Sequence, residues 1–295
     1  MIKKCVREFD GPRSALRLSF PGFRDRMPEK TAAAGPKEHS MLIKQDFYFH
    51  ALDANRPLHI RVPDEGNGPF PVMYFFDGHN LFLDEDATYG KSWGLDEYCR
   101  AWDKPVIIVG VECGHGEGER LSEYLPYSSP QHWLQGLKPR GDATMQAIVN
   151  ELKPWVDAHF PTMPFRECTA IGGSSMGGIM SLFALVRYNH IFSKAACLSP
   201  AIGPVAPSLW REMNATALSP DTRAYLAWGT LETGKNPNPW EEDRSSGIYR
   251  NCRAAANKIE AQGGAAMLYC QIGGRHCEAD WEKQLGIFMP FLWQS

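Results

Sequence analysis

The sequence predicts an α/β fold, a mostly parallel twisted sheet with helices on both faces. Three observations lead there. From residue 41 onward, short strand-like runs alternate with helical segments. No linker, repeat or low-complexity tract interrupts residues 41–295. The ends of the strand-like runs carry the polar, glycine-rich stretches. In sheets of this kind ligands bind beyond the carboxyl ends of the strands, so the chemistry is expected along one edge.

In chain order, residues 1–40 carry scattered charges of both signs, Gly-Pro and Pro-Gly steps and the stretch TAAAGPKE, and read as a poorly ordered N-terminal extension. Met41 opens the patterned region and is an alternative start of the chain. The runs QDFYFH and LHIRV predict an opening antiparallel hairpin. PVMYFF (71–76), PVIIVGVE (105–112), ECTAIGG (167–173), KAACLS (194–199), AYLAW (224–228) and AMLYCQI (266–272) supply the remaining strands. Between the second and third of these, DATMQAIVNELKPWVDAHF places Met145, Ile148, Val149, Leu152 and Val156 on one helical face, with a kink expected at Pro154. Residues 41–295 are expected to form one domain.

Composition excludes several functions. With 295 residues, 43% hydrophobic and 12% aromatic, the chain can bury a large core. A net charge of -3 offers no basic field for nucleic acid and no polybasic strip for anionic membranes. Apolar runs such as PVIIVGV and IMSLFALV fall far short of the roughly 20 residues of a membrane helix. The N-terminus lacks the apolar core of a secretory signal, so a cytoplasmic location is expected. The eight cysteines, Cys5, Cys99, Cys113, Cys168, Cys197, Cys252, Cys270 and Cys277, form no C-x-x-C, and several sit in apolar runs as reduced core residues do.

The stretch GGSSMGG (172–178) carries the chemistry. A Walker A loop needs a lysine after its last glycine, and Ile179 stands there; the dinucleotide fingerprint fails because Gly172 and Gly173 are adjacent. Gly173-Ser174-Ser175-Met176-Gly177 does satisfy G-x-S-x-G, with a strand-like run before it and a helical one after. In α/β-hydrolases that turn lifts the central serine above the sheet, here Ser175. A serine needs a base, and in this fold the partners follow in the order serine, acid, histidine. His190 ends the serine's own helix, whereas His276, in GGRHCEAD, lies just past the last strand and is the candidate base. Among Glu212, Asp221, Glu232, Glu241, Glu242, Asp243 and Glu260, Glu232 lies nearest a strand end and is the candidate acid, with Asp243 the alternative. The backbone N–H of Met176 and that of His79, in DGHN, are the candidate oxyanion donors.

Residues 41–295 resemble the putative esterase family of α/β-hydrolases, the group that includes esterase D, enterochelin esterases and feruloyl esterase domains. The matching stretches are YFFDGHNLF, GGSSMGGIMSLFALVRYNHIFSKAACLSPA, WGTLETG and GGRHCEADWEKQLGIFMPFLW. The resemblance implies a triad of Ser175, Glu232 and His276, with His79 following the D-G step. It implies hydrolysis of acyl-sugar, feruloyl-type or small acyl esters, with acyl transfer on the same triad or a silent binding protein as alternatives. A small-molecule ester is then the expected partner, with no cofactor and no metal. The glutamate at 232 stands where aspartate is also found.

Aromatic residues collect in the expected loops, and Trp93, Tyr124 and Trp210, with Arg120 past a strand end, are candidate substrate contacts. The stretch from Asp84 does not make a calcium loop, because Tyr89 and Leu95 occupy positions that need glycine and glutamate. Nor does the H-x-E of HCE make a zinc deaminase signature, since no P-C-x-x-C follows.

Overall fold

The computed structural model describes residues 41–64, 66–232 and 238–293. The expected extension, residues 1–40, lies outside them. Eight strands form one sheet: β1 (Met41–Phe49), β2 (Ala54–Val62), β3 (Val72–Phe76), β4 (Ile107–Val111), β5 (Thr169–Ser174), β6 (Lys194–Leu198), β7 (Arg223–Gly229) and β8 (Ala265–Gln271). Their spatial order is β1-β2-β4-β3-β5-β6-β7-β8. The opening hairpin and the β2/β4 pair are antiparallel, and every other pair is parallel. All the strand-like runs of the sequence are strands here.

Among the described residues nine α-helices accompany them: α1 (Leu95–Ala101), α2 (Glu119–Glu123), α3 (Gly141–Ala147), α4 (Lys153–His159), α5 (Met176–Arg187), α6 (Ala206–Ala215), α7 (Gly247–Glu260), α8 (Glu278–Glu282) and α9 (Leu285–Leu292). None of the described helices is long and apolar enough to cross a membrane. The central strands are buried on both faces, which is why they read as unbroken apolar runs. Strand pleating divides β3: Val72, Tyr74 and Phe76 join a core with α3 to α7, while Met73 and Phe75 join a second core with α1, α8 and α9.

The helix around Pro154 buries Met145, Ile148, Leu152 and Val156, with Val149 packed at its margin. At the expected kink, α3 passes into a π turn, Ile148–Leu152, before α4 resumes. Proline cannot donate to the preceding turn, and the wider π turn accommodates that lost bond inside a continuous helix.

Candidate active site

The β5–α5 turn is held by close backbone packing. A Cβ on Gly173 would come 2.8 Å from the Gly177 carbonyl carbon, and one on Gly178 would come 2.7 Å from the Leu198 oxygen. Only glycine fits at either place. Ser175 sits between them at φ 57°, ψ -117°, a conformation that L-residues avoid. Its N–H donates to Leu198 O at 2.9 Å and its carbonyl accepts from Ala201 N–H at 3.0 Å, so the end of β6 fixes the turn. Ser174 is the last residue of β5 and is buried, whereas Ser175 is partly exposed. As the first residue of α5, Met176 has an N–H without an intrahelical acceptor.

The turns after β7 and β8 bring Glu232 and His276 together. A Cβ on Gly229 would lie 2.2 Å from Gly274 O, so these turns touch backbone to backbone. Leu231 N–H donates to Gly274 O at 2.9 Å and Thr230 N–H to Gln271 O at 3.0 Å. His276 Nδ1 lies 2.8 Å from Glu232 Oε2. A carboxylate only accepts, so Nδ1 carries the proton and Nε2 is left as the acceptor. Glu232 Oε1 accepts from Ser199 Oγ at 2.7 Å and from Gly229 N–H at 2.6 Å, and Trp281 Nε1 donates to Ser199 Oγ at 2.9 Å. Trp281 also meets the His276 ring edge to face, with centroids 5.0 Å apart. Ser175 Oγ makes no hydrogen bond to His276 among the described residues; nucleophile and base commonly tighten only around substrate. Asp243 is engaged elsewhere, accepting from Ser245 Oγ at 2.6 Å.

The third part of the edge is the turn after β3. Asp77 is left-handed at φ 58°, ψ 53°, and a Cβ on Gly78 would lie 2.6 Å from the Gly110 carbonyl carbon. His79 follows, buried, with its ring Nε2 2.9 Å from Thr88 Oγ1. Burial holds its pKa below the usual histidine range despite Asp77 and Glu112 nearby. Asp77, Ser175 and Ser199 are three of the four described non-glycine residues with positive φ, and all three follow strand ends on this edge. Strain of this kind concentrates at functional sites.

The expected substrate contacts fall differently. Arg120 donates Nε and Nη2 to the two Asp77 oxygens at 2.7 Å each, and its guanidinium lies 5.1 Å from the Tyr124 ring centroid. Tyr124 is 1% exposed and its hydroxyl accepts from Asp77 N–H at 3.1 Å. Trp93, 3% exposed, packs against Phe75 and Trp281. Tyr124 holds the Asp77 turn, and Trp93 the wall behind Trp281. Trp210 packs partly buried on the first core from α6. Trp240, the most exposed large aromatic among the described residues, lies beside Gly273; Leu231 and Ile272, in the turns after β7 and β8, are also exposed.

Sequence reasoning did not find Ser199, Trp281 or a cluster past β4. There Glu112 lies 2.6 Å from His59 Nε2 and 2.7 Å from His115 Nε2. Burial alone would raise the Glu112 carboxyl, but those hydrogen bonds outweigh it and hold it down to about 2. Spacing gave no signal for this cluster, because His59, on β2, comes from a segment far in sequence from Glu112 and His115.

Known proteins resemble parts of the chain. An uncharacterised Bacillus subtilis protein, YbbA, is 24% identical over 174 residues, 56% of this chain and 63% of that protein. The esterase Rv1288 of Mycobacterium tuberculosis is 29% identical over 159 residues, 52% of this chain and 31% of that protein. The chain thus spans less than two thirds of either relative. The crystal structure of the enterobactin esterase from Shigella flexneri superposes with a TM-score of 0.65 at 17% identity, over 88% of this chain and 60% of that one, and shares its fold. A family model described as "Putative esterase" matches residues 50–288, a span that holds Ser175, Glu232, His276, Met176 and His79, and the chain belongs to that family.

Proposed function

We propose that the protein is a serine carboxylesterase that hydrolyses small-molecule esters through an acyl-enzyme. The observation that carries this reading is the Glu232–His276 pair at 2.8 Å, on the same sheet edge as a serine held at positive φ in a tight elbow. Membership of an esterase family and the esterase relatives support it.

On this reading His276 Nε2 takes the Ser175 hydroxyl proton as Oγ bonds to the ester carbonyl carbon. Glu232 keeps the proton on Nδ1 and stabilises the imidazolium. Backbone N–H groups of Met176 and His79 receive the oxyanion. Collapse of the tetrahedral adduct breaks the bond to the alcohol oxygen, which leaves with the proton from His276. Water, deprotonated by the same imidazole, then releases the acid. Exposed apolar side chains in and beside the turns after β7 and β8, namely Leu231, Trp240 and Ile272, support an ester with an apolar or aromatic portion.

Ser175→Ala is expected to lower kcat on p-nitrophenyl esters by roughly 10⁴ to 10⁶, and Ser174→Ala to have a far smaller effect. Undiminished hydrolysis by Ser175→Ala would overturn the mechanism. Loss of hydrolysis in Ser174→Ala with retention in Ser175→Ala would move the nucleophile.

A further inference from the structure

The donor atoms of His79, Glu112 and His115 all lie within 4.8 Å of one another. Topology brings them together. Strands β3 and β4 are parallel neighbours, pairing Phe76 with Val111, so the turns that follow them emerge side by side. Within the cluster, His79 Nδ1 is buried and without a hydrogen-bond partner, in a residue only 8% exposed. It lies 3.9 Å from Glu112 Oε2, too far for a hydrogen bond. A buried polar atom with no partner calls for an explanation, and an ion is one.

We propose that His79 Nδ1, Glu112 Oε2 and His115 Nε2 bind a divalent cation of the zinc class. The surroundings prepare each ligand. Thr88 Oγ1 holds His79 Nε2 at 2.9 Å, which turns Nδ1 toward the carboxylate. His59 Nε2 holds Glu112 Oε1 at 2.6 Å, leaving Oε2 for the ion. Partners behind metal ligands play this role in zinc sites. Two imidazoles and one carboxylate form a zinc-type donor set, and one negative charge favours a divalent cation. Zinc bonds of ~2.0–2.1 Å in a tetrahedron separate donors by about 3.3 Å. The 3.9 Å gap from His79 must therefore close and the 2.7 Å contact of His115 must open, each by about 0.6 Å. His115 can make the second adjustment, because its side chain is 63% exposed and glycines 114 and 116 flank it, while the first is a small approach of the Glu112 carboxylate and the His79 ring. The same exposure leaves a coordination position open to water. The site departs from the metal-free expectation of the sequence, and it does not depend on the reaction at Ser175.

The test is a calorimetric titration of the full chain with zinc sulfate after chelator treatment. Wild type is expected to take up one ion that His115→Ala loses or binds roughly 100-fold more weakly. His115 is exposed, so this variant is expected to melt with the wild type; His115→Asn serves as a second if it does not. His59→Gln, one step behind the ligands, is expected to weaken binding roughly 10-fold. Cysteine sites persist in every variant, so the difference isolates the cluster. Absence of zinc binding, or equal binding by wild type and both His115 variants, overturns the proposal.

Discussion

Both carboxylate oxygens of Glu232 are engaged: Oε2 faces the His276 ring, and Oε1 accepts from Ser199 and from Gly229. Its side chain is only 7% exposed, so truncation would strand those donors as well as free the imidazole. Glu232→Ala is therefore expected to reduce kcat by about 10⁴ with KM little changed. Asp243→Ala, which removes only local turn bonds from Ser245 Oγ and N–H, is expected to stay near wild type. A deep loss in Asp243→Ala with a mild one in Glu232→Ala would reassign the acid. The elbow at Ser175 and the meeting of Glu232 with His276 were legible in the sequence because an elbow motif, a chain order and strand ends are local or ordinal signals. Ser199 was not: its partners Glu232 and Trp281 lie 33 and 82 residues away, a pairing that only the folded sheet creates.

Turns at the strand ends set the spacing of the site, and the turn after β7 shows how tightly. Gly229 N–H binds Glu232, while its α-carbon faces the Gly274 carbonyl with no room for a methyl group. Gly229→Ala must push the two turns apart, and overpacking of this kind costs about 1–3 kcal/mol. For a chain this long that corresponds to a melting point roughly 2 to 10 °C lower. Activity is expected to fall further than stability alone explains, because the displaced turns carry Glu232 and His276; an unchanged melting point and kcat would show that the turns yield freely. The strands themselves were legible at this scale, since runs such as VMYFF and IIVGV are buried on both faces and need no alternation. The π turn before Pro154 was not, because the sequence shows only that one hydrogen bond must be lost there, and packing of the flanking helix faces decides how the backbone absorbs it.

Across the molecule, several carboxylates are held below their ordinary range by specific partners. Glu119 accepts from Gly116 N–H; Asp84 from Ser92; Asp243 from Ser245. Burial opposes the charge on Glu151 and on Asp280, but the N–H groups of Ala51 and His50 in one case, and Lys283 and Arg275 N–H in the other, outweigh it. Glu278 goes the other way, its carboxyl pushed up by burial. The lowered groups titrate at their ordinary values in the unfolded chain and at lower values in the folded one. Acidification below about pH 5 therefore loads protons onto the unfolded state first. Stability from these contacts is present above that range and is lost as pH falls through the folded values, while Glu278 opposes the trend. The urea midpoint is accordingly expected to fall steadily from pH 5 to pH 3 at constant m. Glu151 supplies the test at one site, because it ties the β1–β2 turn to the π turn, 101 residues away, through His50 N–H at 2.7 Å and Ala51 N–H at 2.9 Å. Glu151→Gln is expected to lower the midpoint at pH 7 and to flatten its acid limb, since the neutral amide has no proton left to take up. A wild-type midpoint that stays level from pH 5 to pH 3, or an acid limb equally steep in Glu151→Gln, would show that these carboxylates do not govern acid unfolding.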